Sequence, residues 1–100
     1  MLTKNKKIHF IGIGGIGMSG IAELLYSLDF VITGSDLINS DRTNYLSELG
    51  IDIKIGHYAE NIHEPDLVVY SSAIKMDNIE ILESKNKSIP VIRRAEMLGE

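Results

Sequence analysis

Short apolar runs alternate along the chain with segments whose apolar residues recur at helical spacing. Lys7 to Ile13 is a dense β-branched run, the pattern of a strand buried on both faces. From Ile16 the period changes, and Met18, Ile21, Ala22, Leu24, Leu25 and Leu28 fall on one helical face, with the helix ending before Asp29. Phe30 to Thr33 reads as a second strand, and Gly34, Ser35 and Asp36 open a polar loop. Ser40 is a candidate N-cap for a second helix carrying Tyr45, Leu46 and Leu49 on one face, with Gly50 just past its last turn. Ile51, Ile53 and Ile55 alternate with Asp52 and Lys54, as in a half-exposed strand.

Gly56 to Asp66 is a loop with room for a helical turn, and Leu67 to Tyr70 is apolar throughout, as a central strand would be. Asp77 or Asn78 caps a helix bearing Ile79, Ile81 and Leu82, whose Glu80, Glu83 and Lys87 read as a solvated face. Ile89 to Ile92 is a short fifth strand around Pro90, whose missing N–H suits a strand start or an edge. Ala95 to Glu100 begins a further helix. Strands alternating with helices imply βαβ crossovers, which are right-handed and put helices on both faces of a parallel sheet. The fold class expected is α/β: a Rossmann-like open parallel sheet of about five strands, spanning residues 1–100 as one domain.

Composition narrows the possibilities. One hundred residues allow one domain and exclude a complete multi-domain enzyme. Folding at this size buries about 65% of the unfolded surface, and 44% hydrophobic residues suffice to fill a core. Zero Cys removes disulfide scaffolds, thiolate metal sites and cysteine nucleophiles together. A net charge of −4 argues against a nucleic-acid binder held by a basic face. Lys4, Lys6 and Lys7 before an apolar run resemble the start of a signal peptide, but four glycines from Gly12 to Gly17 spoil its helical core. No apolar stretch approaches the ~20 residues of a spanning helix, so the chain reads as cytoplasmic, with neither membrane nor nucleic acid as partner.

The chemistry gathers where the first strand meets the first helix. Gly12-Ile13-Gly14-Gly15-Ile16-Gly17 satisfies G-x-G-x-x-G in the strand–turn–helix setting that gives this motif meaning. The first glycine permits the turn, the second lets backbone approach a diphosphate, and the third lets helix and strand pack closely. Unpaired N–H groups and the helix dipole then face the anion, so an acidic domain can hold phosphates without lysines. Asp36 stands at the roughly 20-residue offset where dinucleotide folds place an acid on a ribose hydroxyl. To do so it must point at hydroxyl or imide donors and away from the phosphates; its other reading is a turn cap. Ser71, Ser72 and Ala73 follow the fourth strand on the rim that borders the ligand crevice, and His57 follows the third; each is otherwise an ordinary loop residue. His9 lies in the first strand and His63 in a polar loop, and the histidine spacing suggests no metal site. There is no G-x-x-x-x-G-K-[ST] loop, and Ser19, Ser71 and Ser72 lack a nucleophile elbow, so no catalytic residue is assigned. Met18, Met76 and Met97 read as packing residues.

His9-Phe10-Ile11-Gly12-Ile13-Gly14-Gly15-Ile16-Gly17-Met18-Ser19-Gly20-Ile21-Ala22-Glu23 resembles the opening of the Mur ligase family of peptidoglycan synthesis. Gly34-Ser35-Asp36, Gly56-His57 with Glu60-Asn61, Ser71-Ser72-Ala73-Ile74-Lys75 and Arg94-Ala95-Glu96-Met97-Leu98 resemble its later segments in the same order, so the likeness covers nearly the whole chain. The Met18-Ser19-Gly20 continuation sets it apart from ordinary dinucleotide folds, and within the family a murein-peptide recycling ligase differs in this loop. The resemblance implies the N-terminal UDP-sugar-binding domain of a three-domain, cell-wall ligase that adds L-alanine to UDP-N-acetylmuramate. ATP would phosphorylate the lactyl carboxylate with magnesium present, and the amine would attack the acyl phosphate. ATP and Mg2+ would belong to the family's central domain, which carries the phosphate loop lacking here, so these residues would bind substrate without catalysing. The role implied for Gly12, Gly14, Gly15, Ile16, Gly17, Met18 and Ser19 is to grip the diphosphate, with Asp36, His57, Ser71, Ser72 and Ala73 around the uridine.

Two other functions fit the residues. An NAD(P)-binding domain of a dehydrogenase or regulator uses the glycine loop and Asp36 equally well, and motif physics alone does not choose between it and UDP-sugar binding. A purely structural α/β module would leave four glycines, each costly to order, without a role.

Overall fold

The computed structural model describes residues 6–98. Five strands, β1 (Lys7–Ile11), β2 (Val31–Asp36), β3 (Asp52–Ile55), β4 (Leu67–Tyr70) and β5 (Val91–Arg93), form one parallel sheet in the order β3-β2-β1-β4-β5. The helices are α1 (Met18–Ser27), α2 (Asp41–Leu49), α3 (Ile79–Asn86) and α4 (Arg94–Leu98), with a 3-10 turn at Ala59–Asn61. This is the expected Rossmann-like α/β sheet. Gly99 and Glu100, the expected end of the last helix, and the lysine-bearing stretch 1–5 lie outside the described residues, as does the side chain of Met97. No helix among the described residues is long and apolar enough to cross a membrane.

The strands obey the pattern with small shifts. β1 stops at Ile11, not Ile13, because Gly12 turns the chain at φ +82° and the Gly12 and Ile13 N–H groups both donate to the Ser35 carbonyl. β2 runs on through the residues expected to open a loop and ends at Asp36. Ile51 precedes β3 and is buried, while Ile55 is exposed on that edge strand. β5 begins after Pro90, whose carbonyl accepts from the Val68 N–H.

Two cores sandwich the sheet. Ile8, Phe10, Ile32, Leu67 and Val69 pack with Met18, Ala22 and Leu46 of α1 and α2. On the opposite face Ile11 and Val68 pack with Ile62 and Ile81. The expected α1 face is narrower than the pattern suggested: Leu24 is 58% exposed and Leu28 is exposed too, since Leu24 sits about 200° around the helix from Ala22. On α2, Leu46 and Thr43 are buried while Tyr45 and Leu49 face out. Met18 packs in the core as expected, but Met76 is exposed in the loop before α3. The sheet grows outward from β1 in both directions, which puts its switch point between β1 and β4. Ligands of open α/β sheets bind outside the carboxyl ends of the strands at such a point.

Candidate functional site

The glycine loop leaves the carboxyl end of β1 directly into that crevice. Gly12 and Gly17 hold φ at +82° and +85°, a left-handed backbone that other side chains rarely adopt. Gly14 is needed for room: a Cβ there would lie 2.8 Å from Thr43 Cγ2 and 2.9 Å from Asp36 Oδ2. Most of the loop's donors are used internally. Gly15 N–H goes to the Gly12 carbonyl, Met18 and Ser19 N–H to Gly15, and Gly14 N–H to Asp36 Oδ2 at 2.8 Å. The N–H groups of Ile16 and Gly17 have no partner among the described residues, and the first turn of α1 holds no acid. Within the loop, those two are the donors free for an anion. Ile16 itself is 89% exposed.

Asp36 therefore faces the glycine loop, holding Gly14 N–H from the end of β2. Two arginines also stand there, neither assigned a role by the sequence reading. Arg42, in the first turn of α2, donates from Nη1 to Ser19 Oγ at 3.1 Å and lines an open groove of 560 Å³ beside Gly14. Arg94, opening α4, lies against Gly17, where an added Cβ would be 3.3 Å from its Nη1. Neither has an ion-pair partner among the described residues. Their positions in the first turns of helices were the available signal, because a parallel sheet brings helix N-termini to the same rim as its ligand.

The other candidates fall into two groups. Ser71 closes the crevice from β4, its N–H on the Ile11 carbonyl and its Oγ 3.0 Å from where a Gly12 Cβ would stand. His57 and Ala73 line a second cleft of 280 Å³ with Leu37, Ile74 and Asn78, while Ser72 is exposed and lines neither cleft.

Beneath His57 lies the largest departure from expectation. Glu80, read as part of a solvated face, is fully buried: Asn78 caps α3 by accepting Glu80 N–H, and Glu80, Ile81 and Ser84 form the helix's buried side while Ile79 is exposed. Glu83 and Lys87 remain an outward i,i+4 pair at 3.3 Å. Glu80 Oε1 accepts from His9 Nε2 at 2.7 Å and Ser35 Oγ at 2.8 Å; Oε2 accepts from Asn61 Nδ2 at 2.8 Å and Tyr58 N–H at 3.1 Å. His57 Nδ1 lies 3.0 Å from Ser35 Oγ and 3.3 Å from Oε2. Burial alone pushes the Glu80 carboxyl up, but hydrogen bonds from His9, Asn61 and Ser35, with the His9 charge, outweigh it and hold the group below the usual carboxylate range. His9 is locked at its other nitrogen by Thr33 Oγ1 at 2.8 Å. No group of three acids or histidines that could hold a metal occurs among the described residues.

Comparison with known proteins places this geometry. Residues 7–100 match the family described as "Mur ligase family, catalytic domain". The chain belongs to the Mur ligase family. Among Mur ligases it is similar to the UDP-N-acetylmuramate–L-alanine ligase of Geobacter sulfurreducens, at 55% identity over all 100 residues and 22% of that protein. Among solved structures it matches a UDP-N-acetylmuramate–alanine ligase of Thermotoga maritima with a TM-score of 0.90 and 41% identity, over 92% of this chain and 21% of that one. A UDP-N-acetylmuramate:L-alanyl-γ-D-glutamyl-meso-diaminopimelate ligase from Neisseria meningitides matches less well, with a TM-score of 0.83 and 30% identity over 93% of this chain and 30% of that one. The chain thus spans about a fifth of the length of the alanine-adding Mur ligases it matches.

Proposed function

We propose that these residues bind UDP-N-acetylmuramate for a Mur ligase that adds L-alanine to it in peptidoglycan synthesis. The observation carrying this reading is the pair of free N–H groups at Ile16 and Gly17, flanked by Arg42 and Arg94, at the β1–β4 switch point. Backbone donors and two guanidinium groups match a diphosphate, which accepts on every face and favours bidentate arginine. Asp36 organises the loop by holding Gly14, and Ser71, His57 and Ala73 would surround the uridine, with Ser72 outside both clefts. Anchoring the nucleotide far from the reacting carboxylate accelerates ligation by fixing where that carboxylate sits. ATP, Mg2+ and L-alanine would be handled by the rest of the ligase's length, and these 100 residues alone would be catalytically inactive.

Calorimetric titration with UDP-N-acetylmuramate, and separately with NAD and NADH, tests the reading. Selective binding of the UDP-sugar is expected, weakened about tenfold (~1.4 kcal/mol) by Arg42→Ala. Binding of a nicotinamide dinucleotide in preference would overturn it.

A further inference from the structure

The buried cluster under the second cleft has a consequence for what that cleft can accept. Ionised Glu80 has only lone pairs to offer, and His9, Ser35, Asn61 and the Tyr58 N–H fill the positions around its two oxygens. The single hydroxyl proton of Ser35 is committed to Glu80 Oε1, so the Ser35 oxygen that faces His57 Nδ1 at 3.0 Å can only accept. The next atom within reach of Nδ1 is Glu80 Oε2, which again only accepts. A bare Nδ1 would set three lone-pair-bearing atoms against one another in a dry site, which is costly. The proton of a neutral His57 therefore belongs on Nδ1, and Nε2 is bare. Nε2 has no partner among the described residues, and no described buried side-chain nitrogen or oxygen lacks one, so Nε2 opens to solvent at the cleft His57 lines.

We propose that Glu80 is a positioning residue for ligand recognition: through Ser35 and directly, it holds His57 in the tautomer that presents a bare Nε2 to the cleft, so the cleft takes a ligand group that donates a hydrogen bond. This rests on the UDP-sugar reading, and in a uridine nucleotide two kinds of group qualify. The uracil N3–H is a donor where cytosine has an acceptor, and the ribose hydroxyls are donors that a dideoxy sugar lacks.

Long-range proton–nitrogen NMR of the ¹⁵N-labelled chain at pH 8, where an ordinary imidazole is neutral, reads the tautomer directly. The expected result is a protonated Nδ1 and a bare Nε2, with the Nε2 resonance moving toward the protonated range when UDP is added. Glu80→Gln frees the Ser35 hydroxyl to donate to Nδ1 and should move the proton to Nε2. The wild-type spectrum needs no variant, so a Glu80→Gln chain that fails to fold leaves the test intact. CDP binding at least about tenfold more weakly than UDP assigns the donor to the imide, and the same loss with 2′,3′-dideoxy-UDP assigns it to the ribose. A proton on Nε2 in the wild type overturns the inference whatever binds, as does equal affinity for all three nucleotides. Absence of binding by any of them, with the tautomer as stated, counts instead against the UDP-sugar reading and leaves the positioning role standing.

Discussion

At the scale of single residues, identity alone is ambiguous and surroundings decide. Glu80, Glu83 and Lys87 share one spacing on one helix, yet Glu80 is fully buried and the other two meet solvent. The usable signal lay elsewhere, in His9: an imidazole inside an otherwise apolar strand must find a polar partner from another element. The glycine motif was legible because strand, turn and helix each announce themselves, but which donors stay free was not, since that depends on the loop's own backbone turns and on the Asp36 side chain folding back from β2. Gly14 shows the difference. A methyl group there meets Thr43 and the Asp36 carboxylate within 3 Å. Gly14→Ala should cost about 1–3 kcal/mol by overpacking, and pushing Asp36 off the Gly14 N–H should weaken UDP-sugar binding as well. A thermal melt and a titration of the same sample read both.

At the scale of elements, most starts and stops were written locally. Ser40 caps α2 in a reciprocal box with Thr43, and Gly50 ends it in the left-handed conformation at φ +113°. Ser40→Ala should cost about 1 kcal/mol, lowering the midpoint of a melt by roughly 4–8 °C for a domain this size. What the pattern misjudged were the faces. Leu24 and Leu28 count as apolar at a helix-like spacing but turn away from the sheet, and α2 meets α1 partly through a hydrogen bond from Tyr45 to Glu23 at 2.7 Å. Hydrophobic periodicity marks that a helix is amphipathic; which residues at the margin of the stripe are covered depends on how wide the neighbouring element is.

At the scale of the molecule, alternation of strands and helices announced a parallel sheet, while the order β3-β2-β1-β4-β5 had to come from pairing between distant segments. The same distant pairing ties α3 to β1 and β2 through Glu80, and it makes stability sensitive to acid. Because the Glu80 carboxyl is lowered on folding, its contribution is fully present above the unfolded value near 4.5 and is lost as pH falls through the lower folded value. Melting temperature should decline as pH drops below about 4.5. Glu80→Gln should start from a lower plateau and show a shallower acid limb, and a pH series of melts on both chains checks it.

The central place of β1 also sets an order of assembly. Its pairing with β2 joins residues such as His9 and Thr33, 24 positions apart, across one short crossover. Its pairing with β4 and the reach of Glu80 to His9 close far larger loops, the latter across 71 positions. Loop-closure entropy favours a nucleus of β1, α1 and β2, with α3 docking after the rate-limiting step. Glu80→Gln should then speed unfolding while leaving the refolding rate nearly unchanged, and a chevron plot with an unmoved folding arm is the expected signature. The glycine loop is thus shaped early in the life of the chain, while the crevice it borders and the histidine that would read the ligand are completed only when β4 and α3 arrive.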